Sequence, residues 1–270
     1  MPHPDGPAIC AIRLYDGGMQ VIDLNADLGE GDSICRVGDD AAMLEVVTTA
    51  NIACGGHAGD PSTMRRAIQG ALAHDAAITA HVAYPDVAGF GRRFLDIAPA
   101  ELTDQVIAQT GALQAIASVV GARVVGVKPH GALYNAIAHH TAQAQAVVTA
   151  LQELDDDLAL VAAPSSEAAR LAEHVGIPVV REAFADRAYL PDGTLMPRSE
   201  SGAVLTDPHA VTAQARSLAV DHSVTAADGT VLTLPCDTIC LHGDTPGAVA
   251  LARAVRADLE SSGVTVRPAR

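Results

Sequence analysis

The feature that most limits the fold is a repeated change of pattern. About seven times, a short run of small aliphatic residues without helical spacing ends in polar residues. Each run then passes into a segment where apolar residues recur every three or four positions. The strand-like runs are Val21 to Ala26, Thr49 to Cys54, Ala77 to Val82, Arg123 to Lys128, Leu158 to Ala162, Pro178 to Arg181 and Thr238 to Leu241. Interior strands that are each followed by a helix pack as a parallel sheet. Seven such units predict an α/β fold: a closed or nearly closed seven-stranded (β/α) barrel. A doubly wound open sheet is the alternative, but no Gly-rich dinucleotide loop follows the first strand.

Local signals place the rest. Asp60 and Pro61 form an N-cap and first turn, and Met64, Ala67, Ile68, Ala71 and Leu72 then follow helical spacing. One continuous helix is expected from Ala132 to Leu154, another from Pro208 to Ala219, and a C-terminal one from near Pro246. Val224 to Leu234 reads as a hairpin turning at Asp228-Gly229. Residues 1–18 carry Pro2, Pro4, Pro7 and Gly17-Gly18 without periodicity, and read as an extension ahead of a natural start at Met19. Residues 19–270 then form a single barrel domain.

Composition narrows the function. Apolar residues make up 49% of the chain but aromatics only 3%, so the core is built from Ala, Val, Leu and Ile, as helix-on-strand packing requires. A net charge of −15 repels a phosphate backbone and excludes nucleic acid as a natural partner. The five cysteines are odd in number and form no CxxC pair, which fits a reducing cytoplasm. No apolar run approaches a membrane span and no signal peptide is visible, so no membrane association is expected.

In a parallel barrel, the loops at the C-terminal strand ends build the active site. Six strand ends carry polar residues: Asn25 and Asp27, with Glu30 beyond; Asn51, then His57 and Asp60; His81; Lys128 and His130; Glu182, then Asp186 and Arg187; and His242 with Asp244. Simple capping accounts for Asp60, and Asp186-Arg187 also reads as an ion pair. His139, His140, His174, His209 and His222 fall away from strand ends and read as solvated surface. Arg92 and Arg93 on a Gly-rich frame, and Arg198 in a long loop, offer forks for carboxylate or phosphate. Asp27, His57 and His81, with Asn25, offer mixed donors for a divalent metal, although no standard zinc spacing is present. No GxxxxGK[ST] loop exists, so ATP, if bound, is held another way.

Several blocks together resemble the LamB/YcsF family, to which the A component of 5-oxoprolinase belongs. They are Asp23-Leu24-Asn25-Ala26-Asp27-Leu28-Gly29-Glu30, the run Ala50 to Pro61, Gly89-Phe90-Gly91-Arg92-Arg93, Val127 to Asn135, Glu182 to Tyr189 and His242 to Gly247. The resemblance implies a barrel like that of glycoside hydrolases and polysaccharide deacetylases. It implies ATP-dependent cleavage of 5-oxo-L-proline to L-glutamate, ADP and phosphate, with partner subunits B and C. The pattern departs at Gly56, where a bulky aromatic is expected, and at Val82 and Ala83, where a Pro and a small residue are expected.

On that reading Asp27 is the general base, His57 or His81 positions water, and Lys128 with His130 stabilises developing negative charge. Substrate would be held by Asn25, Asn51, Asp60, Arg92, Arg93, Asp186, Arg198 and His242. Two other classes stay open: a metal-dependent deacetylase acting alone, and a non-catalytic binding subunit.

Overall fold

A computed structural model of the chain describes residues 15–16, 19–31, 38–154, 157–243 and 247–270. Most of the 1–18 extension, together with Cys10, Cys35, Asp244 and Pro246, lies outside them. Seven parallel strands form the centre: β1 (Met19–Leu28), β2 (Thr49–Ala53), β3 (Ala77–Val82), β4 (Val124–Pro129), β5 (Ala159–Ala162), β6 (Val179–Phe184) and β7 (Thr238–Cys240). Each pairs with its sequence neighbours, and β7 pairs with β1, which closes the barrel and rules out the open sheet. Tyr15–Asp16 and Thr265–Val266 add short pairings to the start of β1.

Helices α1 (Asp40–Leu44), α2 (Pro61–Ala73), α3 (Pro99–Val119), α4 (Gly131–Ala136), α5 (Thr141–Leu154), α6 (Glu167–His174), α7 (Pro208–Arg216) and α8 (Ala248–Ser261) cover the outside. Outward-facing Leu24, Ala26, Ile52, Ala80, Val127, Leu160, Ala183 and Ile239 are buried against them in one apolar core. Fully burying one Leu or Ile contributes about 1.5–3 kcal/mol, so this outer shell carries the stability.

Beyond shifts of one or two residues at most strand ends, three boundaries differ from the sequence reading. The expected helix Ala132 to Leu154 is two, because Ile137 O and Ala138 O accept from Ala168 N and Glu167 N and cannot continue a helical ladder. The helix after Pro208 gives way at Ser217 to a wider π turn, Ser217–Asp221. Strand β6 runs to Phe184, past the expected Arg181, so Glu182 is a strand residue.

The inner face is polar, unlike the aliphatic packing usual inside such barrels. Asp23, Asn25, Thr49, Asn51, Thr79, His81, Lys128, Glu182 and Thr238 are all buried. They form a directed hydrogen-bond chain. Thr238 and Thr49 donate their hydroxyl hydrogens to Asp23. Thr238 can then only accept, and it does so from Asn25 Nδ2 at 2.7 Å. That turns Asn25 Oδ1 toward Asn51 Nδ2, 2.7 Å away, and Lys128 Nζ, 3.2 Å away. Thr79 donates to Asn51 Oδ1 at 2.6 Å, which fixes that amide as well.

Burial raises the Asp23 pKa to about 6, against the lowering effect of its three threonine partners. The folded chain therefore holds a proton that the unfolded chain releases near pH 4. The carboxyl's favourable contribution is complete below pH 4 and is lost as pH rises through 6. Relative to Asp23→Asn, wild-type stability should fall by on the order of 3 kcal/mol between pH 4 and pH 7. Urea unfolding of both proteins across that range measures it; a constant difference would refute the assignment.

Candidate active site at the C-terminal mouth of the barrel

Lys128, on β4, occupies the centre of the mouth and is only 2% exposed. Its ammonium lies 2.8 Å from Asp27 Oδ1, 2.8 Å from Glu182 Oε1 and 3.3 Å from Cys240 Sγ. Burial works against its charge, but Asp27, aided by Glu182, outweighs burial and holds its pKa well above the usual lysine range. Asp27 answers in kind. Burial raises its pKa, but His81 and Lys128 overcome this and hold the carboxylate well below its ordinary range. The two stay ionised through each other.

Three histidines and Glu30 lie beside this pair. His81 ends β3, His57 sits in the turn after β2, and His130 precedes α4. His81 Nε2 is 3.2 Å from Asp27 Oδ2, and His130 Nδ1 is 2.9 Å from His81 Nε2. His57 Nε2 is 3.0 Å from Glu30 Oε1. His57 and His130 stack with parallel rings, centroids 3.7 Å apart. Burial, with His81 close by, pushes the His57 pKa down to about 3 and that of His130 to about 2, so both rings are neutral. The buried group Glu30, His57, His81 and His130 has the donor types and closeness to hold a metal ion.

The Gly-rich loop after β3 makes this packing feasible. Gly91 has φ +64°, and a Cβ there would lie 2.8 Å from His130 Cδ2 and 2.9 Å from His57 Cβ. The Ala132 N–H donates to Gly91 O and fastens the loop to the start of α4. Gly56 also has a structural partner: any Cβ there would strike the Gln109 amide. Gln109, from α3, bonds both backbone groups of Ala83 and takes up the space an aromatic at position 56 would need.

The mouth opens into a cavity of about 1000 Å³. Its wall includes Asp27, Glu30, His81, Lys128, His130, Glu182, Arg92, Arg198 and His242. His242, stacked on Phe184, bonds Asp186 through Nδ1 and its backbone N–H. Asp186 thus pairs with His242, while the Arg187 guanidinium donates to Met196 O and Ala203 O and pins the long loop.

Other expected residues fall elsewhere. Asp60 caps α2 by accepting from Thr63 N. Arg93 is exposed and paired to Asp86, whereas Arg92 reaches the cavity beside Phe90. Asn25 and Asn51 lie one layer below the mouth as supports of Lys128 and Asp27. His57 backs Glu30 and does not line the cavity. His139 and His140, which read as plain surface, sit on the cavity rim because the helix breaks between α4 and α5. Glu30 and Glu182 carry more of the site than their sequence positions suggest. Cys240 is a site residue that sequence reasoning misses, although alternation along β7 gives its inward place.

Fold and site together define a seven-stranded parallel (β/α) barrel with a polar, charge-paired site at its C-terminal mouth. The LamB/YcsF family model matches residues 22–270, and the chain belongs to that family. It is 53% identical over 249 residues to a Kocuria rhizophila protein named as the A subunit of 5-oxoprolinase, covering 92% of this chain and 99% of that one. A Cutibacterium acnes protein of the same name is 49% identical, with 93% and 100% covered. The crystal structure of a lactam utilization protein from Thermus thermophilus superposes with a TM-score of 0.87 at 40% identity, covering 92% and 99% of the two chains.

Removing the central cation should be costly. Lys128→Met strands Asp27 and Glu182 as buried carboxylates and should destabilise the fold by about 3–5 kcal/mol. Adding Glu182→Gln should recover part of that loss. Urea unfolding of the single and double variants tests the coupling; strictly additive losses would dismiss it.

Proposed function

We propose that this chain is the ring-opening subunit of an ATP-dependent 5-oxoprolinase. The reaction takes 5-oxo-L-proline, ATP and water to L-glutamate, ADP and phosphate. The observation that carries this reading is family membership along nearly the whole chain, with relatives named for that activity. The subunit name of those relatives supports an assembly with subunits B and C. Among the described residues no helix is long and apolar enough to cross a membrane. An ATP-consuming reaction belongs where ATP is kept, in the cytoplasm.

A five-membered lactam is a stable amide, and phosphorylation of its oxygen by ATP makes C5 a better electrophile. One water adds at C5 and the C–N bond breaks, the ring nitrogen leaving as the free amine of a γ-glutamyl phosphate; a second water then hydrolyses that acyl phosphate to glutamate and phosphate. Lys128 is suited to stabilise negative charge as it develops, because its ammonium is already desolvated and oriented. Asp27 is ionised but a weak base, given its depressed pKa. In this reading it serves chiefly to keep Lys128 charged and aimed, and Glu30, whose Oε1 is held by His57, offers its second oxygen as the better placed proton acceptor on the cavity wall. Arg92, Arg198 and His242 are the wall groups for a substrate carboxylate or phosphate. The second reading, a metal-dependent deacetylase acting alone, draws on the His/Glu group and predicts turnover without ATP.

The direct test is glutamate release from 5-oxoproline by this chain alone and with subunits B and C, each with and without ATP. Release only in the complete, ATP-supplied mixture is expected; ATP-independent hydrolysis by the chain alone would overturn the proposal. Asp27→Asn should lower turnover at least about 100-fold through loss of electrostatic positioning, with the fold retained by circular dichroism.

A further inference from the structure

The outer nitrogens of His81 and His130 decide what lies between their inner ones. His81 Nδ1 faces Lys128 O at 3.1 Å, and His130 Nε2 faces Phe90 O at 3.0 Å. A carbonyl oxygen only accepts, so both of those nitrogens carry hydrogen. In the neutral form of each ring that is its one N–H, which leaves lone pairs on His81 Nε2 and His130 Nδ1. These two atoms are 2.9 Å apart. Facing lone pairs at that distance repel unless a cation joins them.

Two carboxylate oxygens complete the surroundings. Glu30 Oε1 lies 3.4 Å from His130 Nδ1 and 3.7 Å from His81 Nε2. Asp27 Oδ2 lies 3.2 Å from His81 Nε2, while Asp27 Oδ1 is already taken by Lys128 and Asn51.

We propose that His81 Nε2, His130 Nδ1, Glu30 Oε1 and Asp27 Oδ2 bind one divalent transition-metal ion. Four donors about 2.0–2.1 Å from a tetrahedral ion stand roughly 3.4 Å apart. Four of the six separations among these donors, 2.9 to 3.7 Å, bracket that spacing. Mixed imidazole and carboxylate donors suit ions such as Zn²⁺, Mn²⁺ and Co²⁺. His57 is not a ligand. Its ring lies flat on that of His130, with 2° between the planes, so an ion in the plane of one ring is out of the plane of the other. His57 Nε2 instead donates to Glu30 Oε1 and holds that carboxylate in place, as outer-shell partners of metal ligands do. The inference stands on this chain's own geometry and does not rest on the lactam reading.

Chelator-stripped protein titrated calorimetrically with Zn²⁺ or Mn²⁺ alone tests it. One equivalent should bind, and Co²⁺ in the same site should give a visible d–d absorption. His81→Asn and His130→Asn should each weaken binding by at least about 100-fold, and His57→Asn by about 10- to 100-fold. His139→Asn, on the rim, should leave binding unchanged, with circular dichroism checking every fold. Absence of saturable binding to folded wild-type protein overturns the proposal, as does undiminished binding by folded His81→Asn and His130→Asn; the two nitrogens then share a proton. Turnover of 5-oxoproline by a chain that binds no ion overturns this inference and leaves the functional reading standing. Metal binding without ATP-dependent turnover does the reverse.

Discussion

The interior of this barrel is organised by one buried ammonium. A lysine with 2% exposure is tolerable only where opposite charge and hydrogen-bond acceptors repay its lost hydration. Here Asp27, Glu182, Asn25 and Cys240 surround it, and each comes from a different strand or strand position. Because Lys128 needs Asn25 Oδ1, Asn25 must point its amide hydrogens at Thr238 and Asn51 must point its own at Asn25 and Asp27. The requirement passes down to Asp23 at the bottom of the barrel, where three threonine hydroxyls converge. The polar column is thus a single network in which each member has one acceptable orientation.

This explains why β1 carries acids and an amide at alternate positions, Asp23, Asn25 and Asp27. In a fully buried parallel strand such positions are ordinarily aliphatic. Outward-facing Leu24, Ala26 and Leu28 supply the apolar burial that holds the helices. The inward side can be polar because the outward face supplies the apolar burial, so long as its charges are paired. Placing the site on strands more than on loops gives it the rigidity of the sheet, and the loops add only the parts that must reach further out.

Much of this is legible from sequence. Seven strand runs, their parallel order and the polar strand ends all follow from alternation and punctuation, and the bounds read for β3 match the strand to the residue. Less visible are features set by tertiary contacts. The break between α4 and α5 arises because carbonyls of Ile137 and Ala138 turn to α6, and no Gly or Pro marks it. Arg92 and Arg93 are indistinguishable in sequence, yet the capture of Arg93 by Asp86 leaves only Arg92 to the cavity. Asp60 reads as a cap from its spacing to Pro61, and that is the bond it makes. Glu182 reads as a loop residue because β6 reads as complete at Arg181; three further residues of strand turn it inward.

The scale of the cavity bears on how such a site can work. At about 1000 Å³ it is far roomier than a five-membered lactam requires. Its deep end is rigid, since Lys128, Asp27 and the histidines are fixed by strands and by one another. The long loop after β6 is also tied down. Arg187 bonds Met196 O and Ala203 O, and Gln214 donates to the carbonyls of Phe184, Ala185 and Arg187. Among the described residues, a mouth held in this way has no element free to close tightly on a small substrate. Water exclusion, which makes a buried ammonium effective against developing charge, must then come from the bulk of what is bound or from a partner seated over the rim. In the proposed reaction the phosphorylated lactam is larger than the free one, and a subunit covering the mouth would complete the enclosure. Under the proposed reaction, the open cavity and the rigid charged floor would divide the work: chemistry fixed in this chain, enclosure supplied by what binds there.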